Sequence, residues 1–491
     1  MKFNNLFILL LISTFATAQN INDAVRMSTS IPGGSARVMG AGSSFGAMGG
    51  DLGSLTINPA GIADFRSSEL AFSLSYNYGN TASDFSGVNT LDTDHDKQVS
   101  LENLGIVFHA KPRGKLVTSN IAVSLHQYNS FKQNFGFQGS TEGSITERFV
   151  ELSNNRSPDE LDNFEAGLAF DTGAVFEDGF GGYLTDFIPS DIVTKNQDIT
   201  RSGKINELSA AWGAKFKSNL NIGVALSVPF YSFEETKRYG ESDFADEIPV
   251  FDDLTFVENL ATSGTGFNFK AGLTYTLAKL IRLGASFESP TWIKLDDNYT
   301  TSLDYSFTLP PDPTSRLTSS SPDGRFDYRF KTPLRFNGSI GALVKTENIN
   351  GFVNFDAEYV DYASSSFNLT SAIDTPAEAA FEQELNGEIS NELQSVMNYN
   401  MGLELAYKKV RLRGGVGLLG SAFAQSSFDF NNLYAVGAGF RADKVYFDLS
   451  YQLRSFNEDY VPYQVLDQTR LQNISNSSDI SKITLSIGYK L

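Results

Sequence analysis

The sequence contains no cysteine, so it offers no disulfide framework, no thiolate metal site and no lipid-attachment cysteine. Histidine is nearly absent: His95, His109 and His126 are scattered along 491 residues, which is weak material for haem binding or an activated Ser–His pair. Beyond the first 18 positions no apolar run approaches the ~18 residues that a membrane-crossing helix needs. Basic residues are outnumbered, 38 Lys and Arg against 57 Asp and Glu, and the net charge of −19 argues against nucleic acid as a partner. A chain without spanning helices is either soluble or a closed barrel, because only helices and barrels satisfy their backbone in lipid. Aromatic residues at 13% and a mean hydropathy of −0.19 suit strands that are apolar on one face only.

The first residues carry a different signal. Lys2 precedes the apolar run Leu6–Phe15, and Ala16-Thr17-Ala18 has the small-x-small pattern of a cleavage site. These features predict a secretory signal peptide over residues 1–18, cut between Ala18 and Gln19.

Periodicity decides between the two classes. In ELAFSLSYNY, Leu70, Phe72, Leu74, Tyr76 and Tyr78 alternate with Ala71, Ser73, Ser75 and Asn77, a period of two. The same alternation recurs in 104–110, 120–128, 208–216, 222–230, 267–277, 281–287, 334–344, 353–359, 399–407, 412–418, 434–440, 445–453 and 483–491. It predicts an all-β fold, a transmembrane antiparallel barrel of about 14 strands spanning residues 67–491. Connections alternate between short basic turns (KPRGK, KSN, KTEN) and long acidic loops, the longest from 129 to 202. Outer-membrane barrels sort their periplasmic turns and external loops in this way, whereas a sandwich has no reason to. Charges inside the strands fall on the polar register: Glu288, Arg335, Asp356, Glu358, Glu404 and Arg413 are expected to face the lumen, since a mid-membrane Lys or Arg on the lipid face costs about 2–4 kcal/mol.

Residues 19–66 precede the first strand and are dense in glycine, yet too apolar for a solvated tail. They predict a compact N-terminal plug inside the lumen, where irregular backbone is tolerated. Asn58-Pro59-Ala60 combines a side chain that bonds backbone, a fixed φ and a small residue, the makings of a rigid turn. Ile57, Ile62 and Phe65 are expected to pack on the inner wall beside it.

The signal peptide, the segment GSARVMGAGSSFGAMGGDLGSLTINPAGIA, its Asn-Pro-Ala motif and the roughly fourteen strands together resemble the FadL/TodX family of outer-membrane transporters. The resemblance covers nearly the whole mature chain. It implies gated uptake of long-chain fatty acids or similar hydrophobic molecules in a Gram-negative outer membrane. Ligand would pass an N-terminal hatch and leave sideways at a kinked third strand. Partners would then be the hydrophobic small molecule, outer-membrane lipid with lipopolysaccharide, and the barrel-assembly machinery. The third strand has neither Gly nor Pro to mark a kink; the polar stretch QYNSFKQ after it is the best candidate. The alternative is a general-diffusion or structural outer-membrane protein, which needs neither a plug nor an apolar external site.

Within the longest loop, Ser157, Pro158 and Glu160 have the spacing of a capping box, and Leu161, Phe164 and Leu168 fall on one face of the helix this predicts. That face either binds an apolar ligand or packs on its own loop. Two enzyme-like motifs are set aside. Gly42–Gly46 fits G-x-S-x-G without the strand and helix of a nucleophile elbow, and Gly415–Gly420 fits G-x-G-x-x-G inside a strand with no helix after it. No enzyme activity, cofactor or metal is expected.

Overall fold

A strand that alternates apolar with polar residues must hide one face, and here the hidden face is the polar one. In a computed structural model of the chain Ser73, Ser75 and Asn77 are at most 5% exposed while Leu74 and Tyr76 are 38% exposed. That inversion of a soluble protein's pattern is what a lipid-facing wall around a filled lumen produces. The structure describes residues 21–31, 33–92, 97–112, 114–217, 219–309, 314–369, 376–426, 430–467 and 470–491. The proposed signal peptide and its cleavage point, Ala18–Gln19, lie outside these residues, as does His95.

The wall is a closed antiparallel barrel of 14 strands. They are β1 (Glu69–Phe85), β2 (Gln98–Ala110), β3 (Leu116–Ser130, continued by Gln133–Glu142), β4 (Ile192–Phe216), β5 (Leu220–Ser242), β6 (Phe251–Leu277) and β7 (Ile281–Glu288, continued by Trp292–Phe307). The circle continues with β8 (Gly324–Lys331, then Arg335–Lys345), β9 (Ile349–Asp361), β10 (Ser395–Tyr407), β11 (Val410–Gly420), β12 (Phe430–Arg441), β13 (Val445–Tyr460) and β14 (Ile474–Lys490). Neighbours in sequence are neighbours in space. β14 closes on β1 from Glu69↔Lys490 to Asp84↔Ser475, so no edge is left open. Leu491 N–H donates to Ser68 O at 3.0 Å, which places the C-terminus beside the start of β1 at the short-turn end.

All fourteen expected strands are present, but several run far longer than their alternating cores. β4 begins at Ile192 rather than near Leu208, and β6 at Phe251 rather than Phe267. The extensions, such as TKNQDITRSGKIN, are polar on the outward face because they rise out of the apolar band, and turn apolar residues such as Ile199 and Ile205 inward. The chain ahead of β1 forms α1 (Ile21–Ser28), α2 (Ala36–Gly40) and two 3-10 turns, Leu52–Thr56 and Pro59–Asp64.

Leu273 faces outward near the middle of the apolar band, in a row with Ala285, Gly338, Ala357 and Tyr399. Leu273→Arg is expected to lower stability by about 2–4 kcal/mol, read by urea unfolding in micelles.

Candidate functional site

The site is assembled from the N-terminal segment outward. Asn58 is fully buried. Its Oδ1 accepts from Ala60 N–H at 3.0 Å and so caps the 3-10 turn that Pro59 opens, while its Nδ2 donates to Gly46 O at 2.7 Å and to Leu273 O of β6 at 3.2 Å. One side chain therefore ties the turn to itself, to the preceding loop and to the wall. Ile62 and Phe65 pack with Leu52 and Leu55 against Val107, Ala122 and Ala211 of β2, β3 and β4. Ile57 packs beside the Phe45–Phe352 contact on the other side.

The wall is shaped to receive this turn. Gly213, Gly223 and Gly272 stand in one cross-strand row on β4, β5 and β6. A Cβ on Gly213 would lie 2.7 Å from Ala63 N, and on Gly223 or Gly272 it would collide with Pro59 O or Asn58 Oδ1. The row ends in donors: Asn120 Nδ2 reaches Ile62 O at 2.7 Å and Ser286 Oγ reaches Ile57 O at 2.7 Å. Alternation reveals which glycines face inward but not what backbone they meet, so this seat was invisible in the sequence.

Charges fasten the rest of the segment. Arg37 of α2 is held by Glu404 at 3.0 Å; Glu404 also takes Arg413 at 2.6 Å, and Arg413 reaches Asp448 at 2.8 Å. Asp356 accepts from Gly46 N–H at 3.2 Å, and Asp64 is gripped by Lys215 and Arg282. Glu288 and Arg335 face each other in register, but each has another ionic partner: Lys270 for Glu288 at 3.7 Å, Glu358 for Arg335 at 3.5 Å. Arg335 also donates to Ser28 O at the end of α1. The segment thus bonds to β3, β4, β6, β7, β8, β9, β10, β13 and β14. His126 is buried beside Glu207 at 3.3 Å and His109 meets Asn120 at 2.8 Å.

Above that segment, α1 sits in an aromatic chamber. Ala24 and Met27 pack among Phe131, Ile205, Tyr231 and Phe233; Arg26 lies 3.5 Å over the Phe233 ring and bonds Tyr231 Oη at 3.2 Å. The chamber abuts an interruption in the wall. The β2–β3 ladder stops at Asn103↔His126. Beyond it β3 shifts register at Gln127–Asn129 and pairs with β4 alone among the described residues. Ser130 Oγ reaches across to Gln98 at 3.0 Å, and Phe85 on Phe137 closes the top of the window. The break falls within QYNSFKQ, where a bulge interrupts the ladder without Gly or Pro.

The long loop departs from the single helix expected there. Pro158–Glu160 is one 3-10 turn, and the chain breaks at Asp162, whose carboxylate caps Phe164, Glu165 and Ala166 to start α4 (Ala166–Asp171) after α3 (Ile145–Ser153). Leu161 and Leu168 are buried in the loop's own cluster with Phe149, Val175 and Phe187. Phe164 stands apart, its ring on Tyr299 of β7.

The fold has close counterparts among solved structures. A FadL homologue from Pseudomonas aeruginosa superposes with a TM-score of 0.54 at 12% identity, covering 94% of this chain and 99% of that one. The toluene transporter TodX of P. putida gives 0.52 at 12%, over 94% and 100%. The Ralstonia pickettii toluene transporter TbuX gives 0.50 at 10%, over 94% and 99%. This is the fold of the FadL and TodX channels. No family model and no curated protein matches the chain by sequence. At such identity the FadL likeness establishes architecture, and function has to come from the site.

Gly223→Leu should unseat the turn. Because the chain has no cysteine, Ser44→Cys reports cleanly. It should resist a bulky maleimide in the parent barrel, where Ser44 is fully buried, and label at least several-fold faster beside Gly223→Leu. Equal labelling in both would show that the glycine row does not seat the segment.

Proposed function

We propose that this chain is an outer-membrane channel for the uptake of hydrophobic molecules, closed by residues 19–66 acting as a hatch, with long-chain fatty acids as its foremost cargo. The observation that carries the reading is α1 lodged in an aromatic chamber directly beside the break between β2 and β3. An apolar molecule arriving from the loop side would compete with Ala24 and Met27 for the same rings. Displacing α1 would connect the chamber to the window, and the cargo would leave sideways into the membrane instead of crossing the polar, ion-paired lumen below. Arg26 lies on α1 itself and is paired with Asp23 at 2.5 Å, so the wall that α1 would leave behind is made by Phe131, Tyr231 and Phe233. Of Leu161, Phe164 and Leu168, the first and last are taken up by the loop core, and Phe164, on Tyr299, is the one left for the outer approach. A general-diffusion porin would have no use for a segment anchored by buried ion pairs.

The Asn-Pro-Ala turn is the hatch's firmest attachment. Asn58→Ala removes three wall or loop contacts and leaves buried carbonyls unpaired, each worth about 1–3 kcal/mol; Ala60→Leu overfills the glycine row. Either variant should cut uptake of a labelled long-chain fatty acid several-fold at matched surface level and unchanged heat-modifiable mobility. Normal uptake in both would reduce the motif to a structural turn. Arg37→Gln should loosen the hatch and raise sensitivity to small antibiotics, measured against the parent in a porin-poor strain.

A further inference from the structure

Strands β7 and β8 break at the same level, at Pro290 and Pro333, and β9 yields to a 3-10 turn, Tyr362–Ser364, before a short segment Ser366–Asn368 rejoins β8. Thr332 N–H donates to Thr291 O at 3.0 Å, so the breaks stay paired to each other. Beside these breaks the outer face of the wall has a hollow of about 680 Å³.

Two cross-strand rows line it. Phe267, Trp292 and Lys331 form the lower, with the Phe267 and Trp292 rings stacked at 5.1 Å; Lys294 and Arg329 form the upper. From Leu277 at the short-turn end to Phe267, at about 3.3 Å per residue and about 40° of tilt, β6 climbs about 25 Å. That is the height of the apolar band. The aromatic pair therefore sits at the membrane boundary on the long-loop side, with Lys331 in its own row and Lys294 and Arg329 at headgroup level just above. Lys294 meets Asp327 at 3.6 Å with both side chains at least half exposed. Among the described residues neither Arg329 nor Lys331 has a carboxylate within ion-pair reach. In a chain of net charge −19, an outward cluster of three cations against one acid is a local reversal.

We propose that this hollow binds a phosphorylated glycolipid of the outer leaflet, of the lipid A type. An acyl chain would lie over the Phe267–Trp292 pair and a phosphate between Arg329, Lys331 and Lys294. Arg329 and Lys331 occupy successive outward positions on one strand, about 6.6 Å apart, a spacing that lets both reach one phosphate, with the arginine binding in bidentate fashion. The long-loop side selects the outer leaflet over phospholipid from the inner one. The inference rests on the outer-membrane placement proposed above.

Trp292 is one of only two tryptophans, so a Trp212→Phe background makes it the sole reporter. Bisphosphorylated lipid A titrated into barrel extracted from membranes in detergent should shift Trp292 emission saturably. The midpoint should rise at least tenfold in Lys294→Gln/Arg329→Gln/Lys331→Gln, and at least tenfold when dephosphorylated lipid A or cardiolipin replaces the probe. Lys444→Gln, on a short turn at the opposite end, should leave the midpoint unchanged. Equal midpoints for parent and triple variant, both migrating as folded barrels, would overturn the lipid site alone. Protein recovered in the soluble fraction, with no heat-modifiable form, would overturn the membrane placement and the lipid site with it.

Discussion

A backbone N–H or C=O in hydrocarbon has no water to turn to, and an unpaired one costs several kcal/mol. The seam from Glu69↔Lys490 to Asp84↔Ser475 meets that demand by closing the sheet on itself. Closure then dictates the rest. Outward positions must be apolar, inward positions are free to be polar, and a ring of fourteen strands encloses more space than its own side chains fill. Gly213, Gly223 and Gly272 of the wall let the backbone of the N-terminal segment approach where side chains would hold the two apart.

Buried charge is the second consequence. Taking ions out of water is expensive, and removing one partner of a buried pair typically costs about 3–5 kcal/mol. The Arg37–Glu404–Arg413–Asp448 chain is therefore poor evidence of stability for its own sake but strong evidence of register. Glu404 satisfies a wall arginine and a segment arginine at once, so a shift of α2 by one position would leave a buried carboxylate short of a partner.

The strand count and the facing of each core were legible because lipid imposes a strict period of two; where the strands leave lipid the constraint lapses, and the upper halves of β4, β5 and β6 could not be read. The lumenal placement of Glu288, Arg335, Asp356, Glu358, Glu404 and Arg413 followed from desolvation cost. Their pairings did not, because Glu288 and Arg335, though opposite in register, each found an ionic partner on the neighbouring strand at its other side, Lys270 on β6 and Glu358 on β9. The loop helix failed for a local reason: Asp162 offers its carboxylate to three backbone N–H groups and restarts the chain at Ala166, which outbids the box at Ser157. The bulge in β3 left only the polar stretch QYNSFKQ as its mark, with no Gly or Pro, since a register shift needs no special residue.

The lower and upper parts of the N-terminal chain are held by different forces, and that difference bears on how a channel of this kind would open. Residues 33–65 are locked by close backbone approach and by ions whose exposure would be costly. The helix α1 spans only eight residues, too few to be stable alone, and it depends on apolar contact with Phe131, Ile205 and Phe233 plus a few polar ties at Arg26 and Ser28. Apolar contact is the one kind of attachment that a hydrophobic cargo can replace in kind. A ligand entering the chamber would offer the rings an equivalent surface and release α1, while the seated turn at Asn58 kept the lower segment in register with the wall.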